Sequence, residues 1–196
     1  MSRVIDPAGW HQAFRREVRN PRWTGPLRES ALKGHLGSWT KHLTGVVVAT
    51  CQNLGWMAVA RGYLTKVLPV LKQEYLAIDV MAFAHADFPG WKKPVAAFEL
   101  ENRQHLEAIS YSVWKVSMIR CSFGGVFCYC QEQEGIKDLL AGLTQGVMAE
   151  LHSPMEQHEA KILLVVGTRS KAEDFPDGFF KRYLWDRAVR QFRPLW

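Results

Sequence analysis

Asp79, Glu99 and Glu101 are the residues of this chain whose types and spacing could do chemistry: Asp79 stands in LAIDVMAF, the two glutamates in VAAFELEN. Each acid lies in an apolar run rich in β-formers, the pattern of a strand. Side chains alternate faces along a strand, so Glu99 and Glu101 point to one side. With Asp79 on the neighbouring strand, three carboxylates converge on one small patch. Anions that close repel unless something positive sits among them, and the expected partner is a divalent cation, Mg²⁺ or Mn²⁺. Such a centre can activate a water, neutralise phosphate charge and help a leaving oxygen. A strand pair is a rigid platform for it, and the carbonyl of Leu100 could add a further oxygen.

The elements that must position these acids are legible as patterns. Trp10, Phe14 and Val18 recur every four residues between arginines, which predicts a basic amphipathic helix over residues 8–19. NPRWTGP (20–26) reads as a breaker. A second helix starts at Leu27 and carries Leu32, Leu36, Trp39 and Leu43 at helical spacing. Residues 46–61 suit a strand at Val46–Val48, but Val47, Cys51, Leu54 and Ala58 keep helical spacing, and a helix is expected there. Strands are expected at Tyr75–Ala84 and Pro94–Glu101, antiparallel, joined by the turn-rich loop HADFPGWKK. Leu106, Ile109, Val113 and Val116 then mark a helix, broken by Gly124–Gly125 before the buried strand VFCYC (126–130). A helix over 134–151, the strand ILLVVGT (162–168) and a final helix over 179–191 complete the chain. The expected fold is α/β, a mixed central β-sheet flanked by helices.

Asp79 followed by Glu99-Leu100-Glu101 resembles the signature of the PD-(D/E)XK, or restriction-endonuclease-like, nuclease superfamily. Its core places an Asp on one strand and (D/E)-x-K on the next, after which a helix crosses over to a further strand. The match runs from Asp79 to Cys130, with a plausible first helix before it. Two departures stand out: Ile78, not proline, precedes Asp79, and Glu101 replaces the signature lysine, an ExE variant. The resemblance implies a restriction-endonuclease-like core in which Asp79 and Glu99 ligate Mg²⁺ or Mn²⁺ and Glu101 orients or deprotonates the attacking water. It also implies that Lys115, in SVWKVSM on the next helix, takes over the missing lysine's role, and that Glu29 on the first helix joins the metal ligands. The plainer readings are a lysine whose stem covers core, and a first-turn glutamate favoured by the helix dipole.

Other residues carry paired readings. Trp91, beside Lys92 and Lys93, could stack on a nucleic-acid base or anchor its loop. Asn102 and Gln104 could contact substrate or end the strand. His85 and His105 bracket the acidic hairpin and could reach the site, with surface or loop residues the plainer reading, and His152 and His158 read as solvent-exposed. Cys51, Cys121, Cys128 and Cys130 lack the spacing of paired zinc knuckles and read as core thiols.

The chain has 196 residues, enough for a single domain with a substantial core. The expected division is a basic helical extension at 1–26, a core at about 27–170 and a basic aromatic helix at 171–196. The net charge of +6 is compatible with a polyanion. Arg15, Arg16, Arg19 and Arg22 crowd one end; Lys181, Arg182, Arg187, Arg190 and Arg193 crowd the other. Basic flanks of this kind hold phosphates over an acidic centre, or are the solvated faces of two helices. With no long apolar run and no signal-like N-terminus, no membrane association and a cytoplasmic location are expected. The sequence therefore supports a divalent-metal nuclease acting on DNA rather than RNA, with a homodimer implied by the resemblance. Its rivals are an inactive nucleic-acid-binding module of the same fold and a protein-interaction subunit.

Overall fold

The computed structural model describes residues 6–151 and 161–195; His152 and His158 lie outside the described residues. Asp6 opens the first helix by accepting the Gly9 N–H, and Pro7 fills the first turn, where its missing N–H costs nothing. The helix α1 spans Pro7–Val18 and buries Trp10 and Phe14 completely. It is part of the core, not an extension. NPRWTGP breaks the helix only at its first residue, where Asn20 separates α1 from α2 (Pro21–Lys33) and caps it, again with proline at the first position; Pro26 is carried inside the helix. A second break falls at Gly34, whose φ of 66° ends α2; Leu32 and Leu36 on either side of it are exposed.

Helix α3 spans Leu36–Asn53 and gives way at Gly55 (φ 77°) to strand β1, Trp56–Ala60. Residues 46–61 are thus a helix end followed by a strand, which corrects the continuous helix expected there. Strands β2 (Val80–Ala84) and β3 (Ala96–Leu100) follow, then α4 (Leu106–Ser117) and β4 (Phe123–Cys130). Gly124 and Gly125 lie inside β4. Their missing side chains admit Val116 of α4 on one face and Phe98 of β3 on the other. Helix α5 (Gly135–Leu143) runs through a π-helical turn into α6 (Ala149–Leu151). Strands β5 (Lys161–Thr168), β6 (Phe180–Asp186) and β7 (Gln191–Pro194) finish the sheet. The helix expected over 179–191, and with it the C-terminal helix of 171–196, is a β-hairpin. FKRYLWD has no clean alternation of its own, and pairing with Leu163–Gly167 of β5 outweighs the helical reading.

The seven strands lie in sequence order. β1, β2 and β3 pair antiparallel, β3, β4 and β5 pair parallel, and β6 and β7 close antiparallel. The fold is α/β with a mixed sheet. Helices α1, α2 and α3 cover one face through Trp10, Phe14, Leu27, Trp39 and Leu43. Helices α4 and α5 cover the other through Ile109, Val113, Val116, Ile136 and Leu143. Among the described residues no helix is long and apolar enough to cross a membrane.

Candidate active site

Strand β3 is buried along its whole length, and its residues alternate between the two helical layers. Phe98 and Leu100 enter the layer of α1 and α3. Glu99, paired in register with Val126, faces α4 instead. A carboxylate there is 5% exposed and needs a partner. Lys115, on the last turn of α4, supplies it: Nζ stands 2.8 Å from Glu99 Oε1 and donates to the Ala77 carbonyl at 2.6 Å. The contact is a charge-assisted ion pair that works to lower the Glu99 carboxyl.

Asp79 does not sit in a strand. The segment before β2 is irregular, with Leu76 (φ 56°) and Ala77 (φ 54°) both left-handed, so Asp79 enters from a tight turn at the strand's start. Because β2 is antiparallel to β3, the beginning of β2 lies beside the end of β3. There Asp79 Oδ2 accepts the Leu100 N–H at 2.8 Å. Burial raises the Asp79 carboxyl above its ordinary value, against the Leu100 hydrogen bond and Lys115. Burial likewise pushes Glu99 up to about 7; Lys115 opposes the shift and the Asp79 charge adds to it.

Glu101 stands one residue past β3. Burial works to raise its carboxyl, but three hydrogen bonds from Arg103 outweigh this and hold it below the usual range: Nη2 lies 2.9 Å from Oε2, and Nε 3.1 Å and the backbone N–H 2.8 Å from Oε1. Asp79 feels the Glu101 charge, and Glu101 feels Lys115. The structure thus brings Asp79, Glu99, Glu101 and Lys115 together at the carboxyl edge of β3. It does not bring Glu29, which is exposed on α2 and paired with Lys33 at 2.6 Å. Among the described residues no group of three or more His, Cys, Asp or Glu side chains is placed to hold a metal ion.

The remaining candidates divide. Trp91 is 77% exposed in the loop between β2 and β3, so it does not anchor that loop. The loop is fixed by Gly90 N–H on the Val67 carbonyl and by Lys92 on the Phe88 carbonyl, and Lys93 is exposed. The Asn102 amide donates to Thr40 Oγ1 at 2.6 Å, tying the end of β3 to α3. His85 and His105 are exposed. Cys51 and Cys128 are fully buried, and burial pushes the Cys51 and Cys121 thiols up to about 12.

Three residues escaped the sequence reading. Arg103 is one, and its place two residues after Glu101 was the available signal. Glu74 is another: it lies just before the left-handed turn at Leu76–Ala77, and its charge raises the Asp79 carboxyl. Arg169, just past β5, donates to the Asn102 carbonyl at 3.4 Å and left no signal in the sequence. Comparison of the chain with family models, with curated proteins and with solved structures gives no match to any of them.

Proposed function

We propose that the chain is a divalent-metal-dependent nuclease that hydrolyses phosphodiester bonds, in DNA rather than RNA, on a restriction-endonuclease-like core. The observation that carries this reading is the convergence of Asp79 and Glu99, two acids destabilised by burial, with the Lys115 ammonium 2.8 Å from one of them. The order α3-β1-β2-β3-α4-β4, with β3 and β4 parallel across α4, supports it as well.

The residues fit a Mg²⁺ or Mn²⁺ ion as a two-carboxylate set. Glu99 is a buried and Asp79 a half-buried carboxylate, close enough that the Asp79 charge raises Glu99, and such ions commonly take one or two carboxylates with water and substrate phosphate completing the shell. Asp79 and Glu99 would hold the ion; Glu29 would not. Bound there, the ion supplies Lewis-acid stabilisation of phosphate charge and a more acidic water. Lys115 neutralises charge developing on the scissile phosphate. Glu101, kept ionised by Arg103, accepts a hydrogen bond from the attacking water and orients it toward phosphorus. Trp91, Lys92 and Lys93 meet the strand beyond the cut, with stacking and charge that do not depend on sequence.

The test is cleavage of plasmid DNA by the purified chain with Mg²⁺ or Mn²⁺. Cutting that is lost in Asp79→Asn and Glu99→Gln, with folding intact, supports the assignment; cutting retained in both sinks it. A second reading, a non-cleaving nucleic-acid-binding module, is favoured by one observation: Glu99 and Glu101 already have cations of the protein's own beside them. It expects salt-sensitive DNA binding with no cleavage in any metal.

A further inference from the structure

The two basic ends of the sequence meet over one cavity. Helix α1 brings Arg15 and Arg19, and β6 brings Lys181 and Arg182, to a cavity of about 390 Å³ that also takes in His11. Asp177 lies in the same wall, 3.9 Å from Arg15 and bonded to Arg19. One carboxylate against those four cations leaves the cavity strongly positive. The cations also crowd each other: burial, with the Arg15 charge added, lowers the Arg182 guanidinium. A cluster of like charges built around a concavity, rather than spread over a surface, is the signature of a site for the opposite charge.

His11 refines the chemistry. It is 3% exposed, and its Nδ1 lies 3.5 Å from Arg182 Nη1. With Nδ1 facing a guanidinium donor, the ring proton belongs on Nε2, which is buried and has no hydrogen-bond partner. Burial and the two arginines push His11 down to about 3, so it stays neutral and offers a single donor. Arg182 itself is fixed, because its Nε donates to the Leu195 carbonyl of the neighbouring β7 end. Arginine forks match phosphate oxygens two at a time, and the excess charge suits a dianion. The cavity is larger than phosphate alone needs and falls within the range of small-molecule sites. Phe14, Val18 and Phe180 give it an apolar wall for an organic body.

We infer that this cavity binds a terminal phosphate monoester carried on a nucleoside-sized body, held by Arg15, Arg19, Lys181 and Arg182. The chemistry is shared by a free nucleoside monophosphate and by the 5′-phosphorylated end of a strand. The site is built on the α1 side of the sheet, whereas Glu99 faces α4, so the inference stands apart from the nuclease reading.

The experiment is calorimetric titration of the full chain with adenosine 5′-monophosphate, adenosine, and a short oligodeoxynucleotide with and without a 5′-phosphate. The expected result is saturable binding that requires the phosphate and weakens by about tenfold or more in the double variant Arg15→Gln/Lys181→Gln. The Arg15 side chain is 45% exposed and Lys181 is half-buried, neither takes part in the Arg182–Leu195 bond, and thermal melting checks that the variant is folded. Tighter binding of the mononucleotide identifies a small-molecule site, and tighter binding of the phosphorylated oligonucleotide a strand-end site; either supports the inference. Equal binding of adenosine and its monophosphate, no binding of any probe, or undiminished binding by the folded double variant would overturn it.

Discussion

Lys115 Nζ stands 2.8 Å from Glu99 Oε1, joining the end of α4 to the end of β3, and the same ammonium holds the Ala77 carbonyl ahead of Asp79. One cation thus fixes the approach of both acid-bearing segments. Removing one member of a buried pair strands the other, at a cost of about 3–5 kcal/mol. Lys115→Met should therefore lower unfolding stability by roughly that amount, and the double variant Lys115→Met/Glu99→Leu by clearly less. Urea unfolding of both and of the single glutamate variant closes the cycle. Additive losses would show that the pair is not coupled.

If the site cuts, its metal dependence should divide the acids named by the sequence. Asp79→Asn and Glu99→Gln should each lower Mn²⁺ affinity and reduce cleavage by on the order of 100-fold or more. Glu29→Gln should change neither, because its carboxylate faces solvent beside Lys33. Calorimetric Mn²⁺ titration reads this without a substrate. An effect of Glu29→Gln equal to that of Asp79→Asn would redraw the site.

What the sequence made legible follows from how far each pattern depends on neighbours. The β3-α4-β4 unit was readable because VAAFEL and VFCYC are apolar on both faces and Ile109, Val113 and Val116 keep strict helical spacing. Lys115 was singled out by the resemblance, and its ion pair with Glu99 came from the structure. The segment FKRYLWD misled because it carries apolar and charged residues on both of its alternating faces, so only the partner strand β5 decides between helix and strand. Residues 46–61 misled because the stripe Val47, Cys51, Leu54 and Ala58 crosses Gly55, whose left-handed φ ends the helix. The Asp79 turn itself rests on left-handed non-glycine residues, which no composition rule announces.

Trp91 offers a test of the loop between β2 and β3. A side chain that exposed contributes little to folding, so Trp91→Ala should leave the melting temperature unchanged. If the loop meets nucleic acid, the same change should weaken binding by about 1–3 kcal/mol, read by fluorescence anisotropy with a labelled oligonucleotide. Lys92→Gln/Lys93→Gln should instead flatten the salt dependence of binding. Unchanged affinity in the tryptophan variant would remove the loop from the interface.

The glycine pair of β4 tests how tightly the layers close behind the site. A methyl at Gly125 would stand 2.6 Å from Phe98 Cδ1, and Phe98 is itself pressed against Trp10 with ring centres 4.5 Å apart. Gly125→Ala should cost about 1–3 kcal/mol by overpacking. Gly37→Ala, in the first turn of α3 with nothing within 4 Å of the new carbon, should instead stabilise by up to about 1 kcal/mol because alanine loses less chain entropy in a helix. Urea midpoints distinguish the two, and a neutral Gly125→Ala would mean that Phe98 can yield.

Two buried groups should give the metal-free protein opposing responses to pH. Glu99 titrates near 7 in the fold against an ordinary 4.5. Between those values the folded chain holds more protons than the unfolded one, so stability falls as pH rises through the window and stays lower above it. Asp79, raised for the same leading reason, acts in the same direction. His11 titrates at about 3 in the fold against 6.5 when free, so its contribution is complete above 6.5 and is lost as pH falls toward 3. From about 4.5 to 6.5 the two slopes oppose each other, each limited to about 1.4 kcal/mol per pH unit. Denaturant unfolding in EDTA should therefore vary weakly there. Glu99→Gln should expose the His11 slope, with stability rising as pH increases, and His11→Gln should expose the Glu99 slope, with stability falling from about 4.5 to 7. Parallel profiles in the two variants would show that neither group is held in the protonation state its surroundings impose.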